Sequence, residues 1–227
     1  MKAHKFIMLF LLSIFSLSCQ KSSVNKTKSV DKVNLYKTDG TIQTKIQQKH
    51  DSTMVFLWRE NKYNKKLKGS YSTIVINKEY CKTISDIERA ALAFVATWIG
   101  NDCWWENDIP NEDRTNLKCV ILTALNLGCQ GSKEHLKFLR HWFRNDTASI
   151  EALKDVPSTP YTSTIQDTFD SIRITSNENI ITVWYKARGI NTREQKSWSW
   201  SQKDFFKVNV DEIYLIKSER SKVIFNK

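Results

Sequence analysis

From residue 84 to residue 143 the apolar side chains recur at helical spacing, and on either side of this stretch the spacing is that of strands. Ser85, Asp86, Ile87 and Glu88 read as a capping box, in which the serine hydroxyl accepts from first-turn amides and the glutamate reaches back to the cap. The helix this predicts carries Ala90, Ala91, Leu92, Ala93, Phe94, Val95, Ala96, Trp98 and Ile99. It is apolar almost all round, so it should be covered on most sides. Gly100 and Asn101 suit its exit. A second helix is expected over residues 112–127, burying Leu117, Val120, Ile121, Ala124, Leu125 and Leu127 and stopping at Gly128. Ser132 caps a third, with a stripe of Leu136, Leu139, Trp142 and Phe143, and residues 148–154 suit a short fourth. Short connections favour antiparallel neighbours among them.

Strand signals flank the helices. Residues 33–36 and 41–46 surround the turn dipeptide Asp39-Gly40, which predicts a small hairpin. Residues 53–58 and 71–76 read as strands, separated by Lys62, Lys65, Lys66, Lys68 and Gly69 as a solvated turn. Pro157 and Pro160 discourage further helix. Beyond them residues 165–174, 180–187, 197–200, 205–210, 213–216 and 223–225 form a series of short strand-like runs. The expected fold class is α+β: three to four packed helices followed by an antiparallel β-meander, with a small N-terminal β region. One domain is expected over residues 33–227, its helical core at 84–154 and its sheet at 161–226.

The first eighteen residues have a different character. Lys2 and Lys5 precede an apolar stretch over residues 6–15 that is short for a membrane span, so residues 1–18 read as a signal segment. Ser16, Leu17, Ser18 and Cys19 resemble the cleavage box of bacterial lipoproteins, although Ser16 stands where that pattern prefers leucine. The resemblance implies lipidation of Cys19, palmitate included, and attachment to a bacterial membrane on the periplasmic side, with the outer membrane the expected one. Residues 19–32 are polar, as suits a tether between lipid and body.

Export changes how charge and cysteine are read. The formal charge is +11, and loss of Lys2 and Lys5 leaves about +9 on the mature chain. The meaning of that charge depends on its distribution: in the early mature segment it can sit close to an anionic membrane surface, while nucleic acid is a poorer fit, since no compact basic and aromatic motif exists. Cys81, Cys103, Cys119 and Cys129 are an even set in a compartment that permits disulfides. Three connectivities are open, and two structural bridges are expected. They would tie both ends of the first helix, and the second helix to the turn after it.

Recognisable catalytic signatures are missing. There is no G-x-S-x-G elbow, phosphate loop, H-E-x-x-H helix or dinucleotide loop. His135 and His141 are six positions apart on a helix and so point away from each other, and His50 is remote in sequence, so all three read as structural or surface residues rather than metal ligands. No cofactor, no metal and no catalysis are expected.

Two aromatic groups suggest binding. The segment between the first two helices holds Trp104 and Trp105 with Glu106 and Asp108 close behind, an acidic aromatic cluster in a basic chain. Tryptophan is enriched among residues that dominate interface energy, which makes this segment a candidate protein contact. Small size, a lipobox-like cysteine, disulfide-ready helices and the Trp-acid segment together resemble the organisation of periplasmic immunity or inhibitor lipoproteins. That resemblance implies a secreted, envelope-acting toxin as partner, occluded sterically. The second group is Trp198 and Trp200, which alternation puts on one face of a strand. Covered, they are a core pair with Trp184 and Tyr185 for neighbours; open, they are a platform for sugar rings of peptidoglycan. A structural envelope lipoprotein, contacting another cell-envelope protein, is the third alternative.

Overall fold

The computed structural model describes residues 53–65, 68–101, 116–157 and 164–226. Strands β1 (Thr53–Asn64) and β2 (Gly69–Ile76) form a hairpin, followed by helices α1 (Lys78–Thr83), α2 (Asp86–Trp98), α3 (Leu117–Ala124), α4 (Lys133–Trp142) and α5 (Thr147–Ala152). A turn of 3-10 helix, Leu153–Asp155, leads to β3 (Ile165–Asn177), β4 (Ile180–Asn191), β5 (Lys196–Asn209), β6 (Glu212–Arg220) and the short β7 (Ile224–Asn226). The mixed α+β class is as expected.

The sheet departs from expectation in its connectivity. Its order is β2-β1-β3-β4-β5-β6, all neighbours antiparallel, with β7 added beside β5. The hairpin before the helices is therefore no separate region. Leu57 pairs with Ile172 and Met54 with Ile174, so apolar residues of β1 extend the apolar face of β3. Among the described residues this gives one seven-stranded sheet with the helices inserted between its second and third strands. The hairpin expected over 33–46 lies outside the described residues.

Local chemistry explains most of the helix boundaries. The capping box forms: Ser85 N–H donates to Glu88 Oε2 at 3.2 Å, and Glu88 N–H to Ser85 Oγ at 3.4 Å. Helix α1, which the apolar pattern does not announce, is started by Asn77, whose side chain accepts from Tyr80 N–H at 3.0 Å. Among the described residues five helices and a 3-10 turn are present, where three to four packed helices were expected.

Helix α2 lies against α3, α4 and strands of the sheet, and Ala90 through Thr97 are buried. Phe94 stacks on Phe143 at 4.6 Å between centroids and meets the edge of Phe206 at 6.0 Å. Among the described residues the buried core runs from Phe56 to Ile213. His135 is fully buried within it: Gly131 N–H donates to its Nδ1, and its Nε2 lies 3.0 Å from Thr97 Oγ1. Burial lowers its pKa to about 4, so the ring is neutral near pH 7. It is a satisfied core histidine.

Strand β5 is continuous where two strands were expected. The polar run Ser201, Gln202, Lys203 and Asp204 looks like a break in sequence. In the sheet Ser201 and Lys203 belong to the open side, while Gln202 and Asp204 turn inward and bond to each other at 2.8 Å. That inward polar pair is the start of the site described next.

Candidate functional site

Strand alternation sets one wall of a cleft. Trp200, Gln202 and Asp204 on β5 face the helices, and register places Ala187 beside Trp200, Tyr185 beside Gln202, Arg220 beside Gln202, and Ser218 beside Asp204. The other wall is apolar, built by Phe94, Val95 and Trp98 of α2, Ile99 just beyond its end, and Ala152 of α5. Between them lies a cleft of about 400 Å³. That volume suits a small ligand or one or two rings of a larger one.

Each polar group on the strand wall has a defined condition. Asp204 is only 6% exposed. Burial raises its pKa above the ordinary aspartate value, while hydrogen bonds from Ser218 and Gln202 oppose the shift. Tyr185 is buried beside it, and burial, reinforced by the Asp204 charge, pushes its hydroxyl far up, so it stays a neutral phenol. Arg220 lies with its guanidinium carbon 4.4 Å from the centre of the Trp200 ring, an arrangement that favours a cation over the π face. The Trp200 indole N–H is buried with no acceptor, a cost that a ligand or water oxygen reached by a small shift would relieve.

Trp198 and Trp200 do share a face, but they do not form an open two-ring platform. Trp200 is 8% exposed and belongs to the cleft wall. Trp198 is half-buried and lies across β4 at Gly189, where an added Cβ would come within 2.5 Å of the indole Cε2. Glycine at 189 is what lets the ring lie flat against the strand. Phe225 of β7 flanks it at 6.5 Å between centroids. Trp184 is on the opposite side of the sheet, packed between Arg173 and Lys186, so of the two expected neighbours only Tyr185 shares the inner face.

The second candidate segment can be seen only at its base. Cys19, Cys103, Trp104, Trp105, Glu106 and Asp108 lie outside the described residues. The chain on both sides of 102–115 is pinned. Asp167 Oδ1 accepts from Gly100 N–H at 2.8 Å and Asn101 N–H at 3.0 Å, and Asp167 N–H donates to Asn101 Oδ1 at 2.7 Å. Lys118 N–H donates to Gly100 C=O at 2.9 Å, which brings the two ends of the segment together. The Lys118 side chain is buried here, and its ammonium pKa is lowered by that burial, with Asp167 opposing. Gly100 adopts φ +99°, a conformation natural to glycine at a helix exit.

The disulfide Cys119–Cys129 ties α3 to the turn after it, as expected for that pair. Cys81 is half-buried and unbridged among the described residues, and its candidate partner Cys103 lies outside them. No group of three or more His, Cys, Asp or Glu suited to a metal ion occurs among the described residues.

The cleft residues Tyr185, Gln202, Asp204, Ser218 and Arg220 are not singled out by any motif. The signal available in sequence was the spacing Trp198, Trp200, Gln202, Asp204, a period of two that continues from apolar to polar without losing its face. No family model, curated protein or solved structure matches the chain.

Proposed function

We propose that the protein is a non-catalytic binding lipoprotein of the bacterial cell envelope, anchored through Cys19, and that the cleft between α2 and strands β4–β6 holds a glycan of the peptidoglycan class. The observation that carries this reading is the opposition of two walls. A planar polar row, Gln202, Asp204 and Arg220, faces an aromatic and aliphatic wall that includes Trp98, itself 39% exposed. Sugar rings present hydroxyls along their rim and an apolar face of C–H groups, so a site with planar donors and acceptors opposite an indole matches both surfaces. Asp204 is the one carboxylate among the described lining residues. Glycoside hydrolysis ordinarily uses a pair, so a single buried acid supports holding rather than cutting.

The test is calorimetric titration of the chain from Gln20 onward, which keeps every described core residue, with soluble muropeptides. Saturable binding is expected, weakened about tenfold by Asp204→Asn and by Trp98→Ala, each of which removes one partner from an opposite wall. Absence of heat and of any tryptophan fluorescence change at millimolar fragment would sink the glycan reading.

A second reading keeps a specific support of its own. The described residues on both sides of 102–115 are hydrogen-bonded to one place on the body, Gly100 to Asp167 and Lys118 to Gly100, so the chain leaves and rejoins a fixed point. We propose on that ground that Trp104, Trp105, Glu106 and Asp108 contact a secreted protein toxin, with acids matching its basic groups. Unchanged affinity for a captured toxin after truncating both tryptophans would remove that contact site.

A further inference from the structure

The side of the sheet that faces away from the helices carries its own pattern. Register sets Arg173, Trp184, Lys203 and Glu219 in one row across β3, β4, β5 and β6, and Phe205 beside Lys217 in the next. Lys186 follows Trp184 by two positions on β4 and so shares this side. The cations and rings touch: Arg173 and Lys186 lie 5.0 and 5.6 Å from the Trp184 ring, and Lys217 lies 5.8 Å from Phe205.

Acids on this side are already engaged. Asp170 takes both Arg59 and Arg188, and Glu219 takes Lys217 at 2.5 Å. Arg173 and Lys186 make no salt bridge among the described residues, and Lys203, beside Glu219 in the register, acts on that carboxylate through space without pairing to it. The three carry exposed positive charge, while Trp184 and Phe205 between them are half-buried. No helix among the described residues is long and apolar enough to cross a membrane.

We infer that this open face is a docking surface for an anionic lipid bilayer, with Arg173, Lys186 and Lys203 set against lipid headgroups and Trp184 and Phe205 at the headgroup level. Charge complementarity supplies the attraction, about 1 kcal/mol for each lysine or arginine near an anionic surface. The aromatic rings account for the choice of occupant. Indole and phenyl groups partition to the membrane–water interface, and here they lie among the cations rather than apart from them. A polar polyanion would engage the charges alone. The inference rests on the envelope placement proposed above and is independent of what the cleft binds.

The experiment is cosedimentation of the chain from Gln20 onward, unacylated, with vesicles of phosphatidylcholine alone or with about one third phosphatidylglycerol, a composition that gives the negative surface potential required. The expected result is partitioning to the anionic vesicles only, falling as salt is raised, and reduced about a hundredfold in the triple variant Arg173→Gln, Lys186→Gln, Lys203→Gln. The double variant Trp184→Ala, Phe205→Ala should weaken the anionic partition with its salt dependence unchanged. Circular dichroism of each variant confirms that the fold is intact, and muropeptide titration of the same samples reports the cleft separately. Equal binding to both vesicle types, no binding to either, an unaffected triple variant, or capture by heparin with no binding to anionic vesicles would each overturn the assignment.

Discussion

The two faces of the sheet are made by the same strands from different residues, and they answer to different physics. On β4 the inward series Ile181, Val183, Tyr185, Ala187 is buried under α2, while the alternate Thr182, Trp184, Lys186, Arg188 is exposed or half-exposed. The inner face draws its stability from apolar burial, and a polar group there is costly unless it is bonded, as Asp204 is to Gln202 and as the Trp200 indole N–H is not. The outer face contributes little to the core, so charge and aromatic rings can accumulate there without a folding penalty. A strand period of two lets one segment of chain carry both programmes.

The largest expected effect tests the inner face. Phe143 is fully buried and stacked on Phe94. Phe143→Ala should cost about 3–5 kcal/mol in urea unfolding, through lost transfer energy and the cavity left behind. Trp184→Ala on the open side should cost about 1 kcal/mol or less, since what it loses is two cation–π contacts at a half-exposed position. Comparable losses in the two variants would erase the distinction between the faces.

A pH experiment sharpens the same contrast at intermediate size. The folded pKa of His135 lies at about 4, below the unfolded value of 6.5. The unfolded chain therefore binds a proton first as pH falls. The stability contributed by the neutral ring is fully present above pH 6.5 and is lost progressively as pH drops toward 4, a change of order 3 kcal/mol. His135→Gln should flatten that limb of the stability profile; an unchanged slope would show that some other buried group sets it. Asp204 has the opposite sign. Its raised pKa means that burying the ionised carboxylate costs stability as pH rises past the ordinary aspartate range, so Asp204→Asn should gain relative to the parent between pH 4 and pH 7. Since hydrogen bonds from Ser218 and Gln202 oppose the shift, this gain should be the smallest of the three effects.

These two faces were unequally legible in the sequence. The capping box at Ser85 and Glu88 and the apolar run behind it announce α2, because cap chemistry and periodicity are local. The joining of β1 to β3 was not legible, since strand pairing across the helical insertion is decided by packing of apolar faces rather than by any signal near either strand. The same holds for the cleft. Gln202 and Asp204 looked like an interruption of β5, when the polar residues were an inward pair lining a cavity that only the helix above them creates. Trp198 and Trp200 share one face, as alternation implies, but their separate fates depend on Gly189 in a neighbouring strand and on the helix wall across the cleft, features no period can report.

The most direct test of the division between the faces is fluorine NMR of the chain from Gln20 onward labelled with 5-fluorotryptophan, the Trp184 and Trp200 signals assigned by Trp184→Phe and Trp200→Phe. Anionic vesicles should broaden the Trp184 resonance and leave Trp200 in place, while muropeptides should shift Trp200 and leave Trp184 unmoved. Vesicles and muropeptides acting on the same tryptophan, or on neither, would contradict the account.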